Sequence, residues 1–194
     1  MKKRINEIFY SLQGEGFWTG TPMIFVRFSG CNLRCSFCDT EHETFTEMTD
    51  SEILAQIGAF PIKRVCLTGG EPPLQIDDKL IEILHQAGYF IHIETNGTNL
   101  LPKGIDWITL SPKSEQIALE KANELKIVYT EQNVQKWLSF RADHFFLQAR
   151  SCQNTEQTIQ YILANPQWRI SIQTHKYLDI RWFLFQLQIG NNFK

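Results

Sequence analysis

Short apolar runs that alternate with amphipathic segments along nearly the whole chain constrain this fold more than any other feature. MIFVRF (23–28), RVCL (64–67), FIHI (90–93), WITL (107–110) and the stretches 125–128, 145–147 and 169–173 read as strands, rich in β-branched and aromatic residues. Helical patterns separate them. One covers 51–60 with Asp50 as N-cap, and a second covers 77–87, with Leu80, Ile81, Leu84 and Ala87 on one face and Gly88 as the stop. Two more fall at 131–140 and 155–164. A strand, a crossover helix and another strand make a parallel unit, so the expected class is α/β with a parallel sheet, curled or open. The 194 residues hold one sizeable core, and no repeat, low-complexity tract or linker divides them. A single domain over 1–194 is expected.

In sheets of this kind ligands collect at the carboxyl ends of the strands. There the chain places CNLRCSFC (31–38), GGEP (69–72), TNG (95–97) and SPK (111–113). The net charge of −2 gives no bulk attraction to nucleic acid or anionic lipid, which turns attention to a small-molecule site. The start, MKKRINEIFY, lacks the apolar core of a signal peptide, and no run approaches the length of a membrane span. A cytoplasmic protein is expected. In a reducing compartment, clustered cysteines serve metals or redox chemistry more often than disulfides.

Three of the five cysteines, Cys31, Cys35 and Cys38, fall within eight residues. Four thiolates complete an iron–sulfur cubane in an electron carrier. Three leave one iron open, free to chelate the amino and carboxylate groups of a methionine. Two other readings use the same residues: a Cys3His zinc module with His42 as fourth ligand, and a redox pair of Cys35 and Cys38, which leaves Cys31 without a role. Cys66, inside RVCL, reads as a buried apolar residue, and with Cys152 it is too little for a second cluster.

The C-x3-C-x2-C spacing, with the aromatic Phe37 before the third cysteine and GGEP after the next strand, resembles the radical S-adenosylmethionine (SAM) superfamily. Within it, YSLQGEG (10–16), Arg27, Cys38-Asp39-Thr40, TGGEP (68–72), ETNG (94–97), SPK (111–113), NELK (123–126) and QTHKY (173–177) resemble, in order and spacing, the 7-carboxy-7-deazaguanine synthases of queuosine and deazapurine biosynthesis. The resemblance implies a partial, modified TIM-like barrel and a homodimer fed by an electron donor such as a flavodoxin or ferredoxin. It also implies a lyase reaction in which 6-carboxy-5,6,7,8-tetrahydropterin is contracted to 7-carboxy-7-deazaguanine with loss of ammonia, using a [4Fe-4S] cluster, SAM and Mg²⁺.

Carried onto this chain, it implies cluster ligation by Cys31, Cys35 and Cys38 and substrate contacts from Leu12, Gln13, Gly14, Glu15, Arg27, Thr68 and His175. SAM contacts fall to Phe37, Asp39, Gly70, Ser111, Pro112, Lys113 and Gln148, and Mg²⁺ to Thr40. The residue chemistry agrees: a guanidinium offers a carboxylate a rigid fork, glycine amides approach a ligand with no Cβ between, and a hydroxyl is a hard ligand for Mg²⁺. Glu82, His85 and His92 fit ordinary helix or strand patterns and read as structural. Beyond QTHKY the tail 181–194 is an appendage to the domain, and FLFQLQI (183–189) alternates as an edge strand or a dimer contact would. A glycyl-radical activase shares the cysteine loop but does not require QGEG, Arg27 and QTHK.

Overall fold

The computed structural model describes residues 2–36, 38, 44–178 and 180. Among these residues nine strands form one sheet: β1 (Lys3–Leu12), β2 (Pro22–Phe28), β3 (Thr46–Met48), β4 (Arg64–Gly69), β5 (Phe90–Thr95), β6 (Trp107–Leu110), β7 (Lys121–Tyr129), β8 (Arg141–Ala149) and β9 (Arg169–Ser171). Their order is β3-β1-β2-β4-β5-β6-β7-β8-β9. From β2 to β9 every pairing is parallel, while β1 runs antiparallel to both β2 and β3. The architecture is the expected α/β class, a partial TIM-like sheet whose outermost strands among the described residues are β3 and β9.

Alternation along the strands sorts side chains between two faces. Val65 and Leu67 of β4 and Ile91 and Ile93 of β5 join one core with α1 (Asp50–Ile57) and α2 (Asp78–Gln86). Leu125 and Ile127 of β7 and Leu147 of β8 join a second core that includes Trp168. Leu80, Ile81 and Leu84 are the buried face of α2; each contributes about 1.5–3 kcal/mol, and truncating one to Ala would cost about 2–5 kcal/mol. The intervening residues, Cys66, His92, Glu94, Glu124 and Lys126, take the opposite face. There Phe9, Met23, Phe25 and Cys66 form a smaller apolar cluster.

Several boundaries differ from the sequence expectation. The N-cap of α1 is Thr49, in a reciprocal box with Glu52 (Glu52 N to Thr49 Oγ1 3.3 Å, Thr49 N to Glu52 Oε2 2.7 Å). Asp50 is instead buried and accepts from Lys3 Nζ at 2.5 Å, an ion pair that ties α1 to β1. The helix expected at 131–140 is reduced to a 3₁₀ segment, Gln135–Ser139. Glu131 has φ of +66°, and Thr130 N and Gln135 N donate to the side chains of Gln132 and Asn133, local bonds that compete with helix formation. Strand β9 ends at Ser171, because Gln173 opens the short helix α4 (Thr174–Tyr177). The helix α3 (Thr155–Ala164) packs against β8 and β9. The alternating segment 183–189 lies outside the described residues.

Candidate active site

A cavity of about 1110 Å³ opens at the carboxyl ends of the parallel strands. That volume suits a nucleoside-sized cofactor and a second small molecule together. Cys31, Cys35 and Cys38, which form no disulfide among the described residues, line it. Cys38 N donates to Cys35 O at 3.1 Å, closing a turn that brings these two residues together, and Leu33 N donates to Cys31 Sγ at 3.4 Å.

The GGEP turn braces this loop. Gly70 N donates to Phe28 O and Glu71 N to Gly30 O, both at 2.9 Å. A Cβ on Gly70 would lie 2.0 Å from Gly30 O. The Gly70 amide, which as a glycine amide was expected to approach a ligand, instead bonds the end of β2, and the absent Cβ admits the Gly30 backbone at the start of the cysteine loop. Gly70 still borders the cavity. Glu71, buried, accepts from Thr95 Oγ1 and from Asn96 N at 2.9 Å. Asn96 Nδ2 reaches Asn32 Oδ1 at 3.1 Å, and Asn32 Nδ2 reaches Thr98 Oγ1 at 2.8 Å. The residue beside Cys31 is thus pinned to the end of β5. Burial pushes the Glu71 carboxyl up, against the bonds from Asn96 and Thr95.

The floor comes from a segment that enters from the other end. Because β1 is antiparallel and Leu12 pairs with Pro22, the first residue of β2, the chain leaves β1 at the amino ends of the parallel strands. It then crosses toward β7 and β9: Gly16 N donates to Ser171 Oγ at 3.0 Å, Phe17 N to Glu124 Oε2 at 3.1 Å, and Thr174 N to Gly14 O at 2.9 Å. At Gly16 φ is +65° and a Cβ would sit 1.9 Å from Glu124 Oε1, so only glycine passes there.

Glu15 is the hub of this floor. Its Oε2 accepts from Lys126 Nζ at 2.6 Å, and its Oε1 from Gln173 Nε2 at 2.7 Å and Gln148 Nε2 at 3.2 Å. Burial raises the Glu15 carboxyl, but the Lys126 charge and the Lys126 and Gln173 bonds outweigh it and hold it below the usual range. Lys126 Nζ also faces Glu94 Oε2 at 3.5 Å. Burial works against its charge, yet Glu15, Glu94 and Glu124 together raise its pKa. Glu124 is pushed up to about 7, chiefly by burial, with Lys126 and Phe17 N opposing. Arg27, buried beside this set, gives its Nε to Glu7 Oε1 at 2.7 Å, which fixes the plane of the guanidinium at the cavity wall.

The cavity brings together Glu15, Arg27, Thr68, Gly70, Ser111, Lys113, Gln148, His175 and the three cysteines. Lys113 Nζ donates to Ser111 Oγ at 2.7 Å. Leu12, Gln13, Gly14 and Pro112 do not line it. Gln13 acts from behind, its Nε2 donating to Glu94 Oε1 at 2.9 Å and its Oε1 accepting from Glu15 N at 3.2 Å. Phe37, Asp39, Thr40 and His42 lie outside the described residues. Sequence reasoning gave no role to Glu71, Glu94, Glu124 or Lys126. For Glu94, Glu124 and Lys126 the signal was present as charge inside strand patterns, FIHIET and ANELKIVY, where a buried face demands a partner; Glu71 lies in the GGEP turn, outside any such pattern.

The donor set fits the implied groups. Three thiols with no disulfide among the described residues suit three corners of a cubane, and the remaining wall is polar enough for an amino acid head group. The model of the radical SAM superfamily matches residues 25–137. The chain is 55% identical over 182 residues to 7-carboxy-7-deazaguanine synthase of Bacteroides thetaiotaomicron, covering 93% of this chain and all of that protein. It is 40% identical over 211 residues to the enzyme of the same name from Bradyrhizobium diazoefficiens, again covering 93% of this chain and all of the relative. The crystal structure of QueE from Escherichia coli superposes with a TM-score of 0.77 at 30% identity, covering 89% of this chain and 94% of that one.

Proposed function

The chain belongs to the 7-carboxy-7-deazaguanine synthase family of the radical SAM superfamily, and from that premise we propose how its residues divide the reaction. It is a lyase of that family, and the substrate is 6-carboxy-5,6,7,8-tetrahydropterin. The observation that carries the reading is that the three thiols line one cavity with the buried Arg27 and Lys126 and the partly buried Glu15.

Cys31, Cys35 and Cys38 hold the [4Fe-4S] cluster, and Ser111, Lys113, Gly70 and Gln148 border the SAM site with Phe37 and Asp39. When bound, cluster and SAM supply the radical that takes a hydrogen atom from the substrate. Arg27, oriented by Glu7, receives the pterin carboxylate in a bidentate fork. Glu15, kept ionised by Lys126, presents an acceptor to the amide-like edge of the pterin, while Thr68 and His175 flank it. Gln13, with the backbone of Leu12 and Gly14, sets the floor on which that edge rests. The buried charges arrive already paired, so their orientation precedes substrate binding.

Thr40 would offer Mg²⁺ a hydroxyl oxygen, a hard ligand of the kind the ion takes. The enzyme works as a homodimer and takes electrons from a flavodoxin or ferredoxin. Reconstitution with iron, sulfide, SAM, Mg²⁺ and the carboxylated tetrahydropterin, with products read by mass, tests the reading. Formation of 7-carboxy-7-deazaguanine and ammonia is expected. SAM cleavage with no change in the pterin would overturn the substrate assignment.

A further inference from the structure

On the inner face of β4 and β5, below the cavity, a thiol, an imidazole and a carboxylate converge. Cys66 and His92 are register partners, and Glu94 follows His92 by two residues on the same face. One ligand atom from each lies within 4.8 Å of the others. Cys66 and His92 are 0% and 2% exposed. His92 Nε2 is engaged with Thr109 Oγ1 at 2.9 Å, whereas Nδ1 is buried with no hydrogen-bond partner among the described residues. A buried ring nitrogen without a partner loses the bond that water would give it, so such atoms are uncommon unless something binds them.

We propose that Cys66, His92 and Glu94 form a binding site for a thiophilic divalent cation, Zn²⁺ foremost, separate from the cluster loop. Thiolate, neutral imidazole and carboxylate are zinc's ligand types, and three protein ligands leave a fourth position for water. Thr109 orients the ring: with Nε2–H donated to its hydroxyl, the lone pair is left on Nδ1. Binding exchanges the Cys66 thiol proton for the metal, and the proton leaves by the cavity. Glu94 is the way in, since it alone of the three lines the cavity. The same carboxylate accepts from Gln13 Nε2 and faces Lys126 Nζ, so an ion that draws it inward loosens the floor of the active site. Zinc is therefore expected to inhibit.

The test titrates Zn²⁺ into the anaerobically reconstituted holoprotein and, in parallel, into a Cys31→Ala/Cys35→Ala/Cys38→Ala variant that cannot hold a cluster. Metal content is read by mass spectrometry after gel filtration, and the zinc environment by X-ray absorption. One zinc per chain in both proteins, with one sulfur ligand, is expected. Cys66→Ala should lose the zinc while keeping its iron, and Thr109→Val, which removes the contact to Nε2, should weaken zinc about 10–100-fold. Absence of bound zinc, zinc retained in Cys66→Ala, or a three-sulfur environment that disappears in the triple variant would overturn the site. Loss of iron binding in the wild type alone would count against the cluster assignment and leave the zinc result readable in the triple variant.

Discussion

Glu124→Gln isolates one buried carboxyl. Glu124 is 1% exposed, holds Phe17 N at 3.1 Å, and leaves Oε1 without a hydrogen-bond partner among the described residues. Burial raises its pKa from an ordinary 4.5 to about 7. The folded state therefore binds a proton that the unfolded chain has released between those values. The stability this gives is fully present below about 4.5 and is lost as pH rises through about 7. A rise of about 2.5 at 1.36 kcal/mol per pH unit is about 3.4 kcal/mol, of which about 2.5 kcal/mol falls between pH 5 and pH 8. Glutamine keeps the acceptor for Phe17 and cannot ionise, so the variant lacks this slope. At roughly 2–4 °C per kcal/mol for a chain of this size, the melting temperature of wild type minus variant should fall by roughly 5–10 °C between pH 5 and pH 8. Anaerobic calorimetry of both holoproteins in matched buffers reads it, and groups shared by the two proteins cancel in the difference. An equal gap at both pH values would refute the assignment of the proton to Glu124.

Gly70→Ala should displace the start of the cysteine loop, because its Cβ would lie 2.0 Å from Gly30 O; the fold loses more than about 1 kcal/mol, and iron content after reconstitution falls. Lys126→Met leaves Glu15 and Glu94 facing each other without their cation, a loss of about 3–5 kcal/mol in denaturant unfolding. Arg27→Lys forfeits the Nε bond to Glu7 and the bidentate fork. It should lower kcat/KM for the pterin about tenfold or more, with SAM binding in the absence of substrate unchanged.

The alternation of strand and helix patterns determined the parallel α/β class before any coordinates. The reason is local: a period of two or of 3.6 residues is written in the residues that carry it. The same holds for α3, whose limits of 155 and 164 were legible from its helical pattern, and for the cysteine spacing, because three ligands within one loop need no distant partner. What the local sequence could not determine was which groups would share a cavity. β1 was not legible as a strand, since Lys3 in its first position looks solvent-facing until Asp50, 47 residues away, neutralises it. NELK could be read as a motif but not as a hub. Lys126 acquires its character from Glu15, 111 residues distant, which reaches it only because β1 runs antiparallel and sends 13–17 across the sheet. Cys66 and His92, read singly, are an apolar residue in one strand and a structural residue in another. Parallel pairing of β4 with β5 sets them side by side, and that adjacency is a property of the register, which arises when strands far apart in the chain are brought into contact.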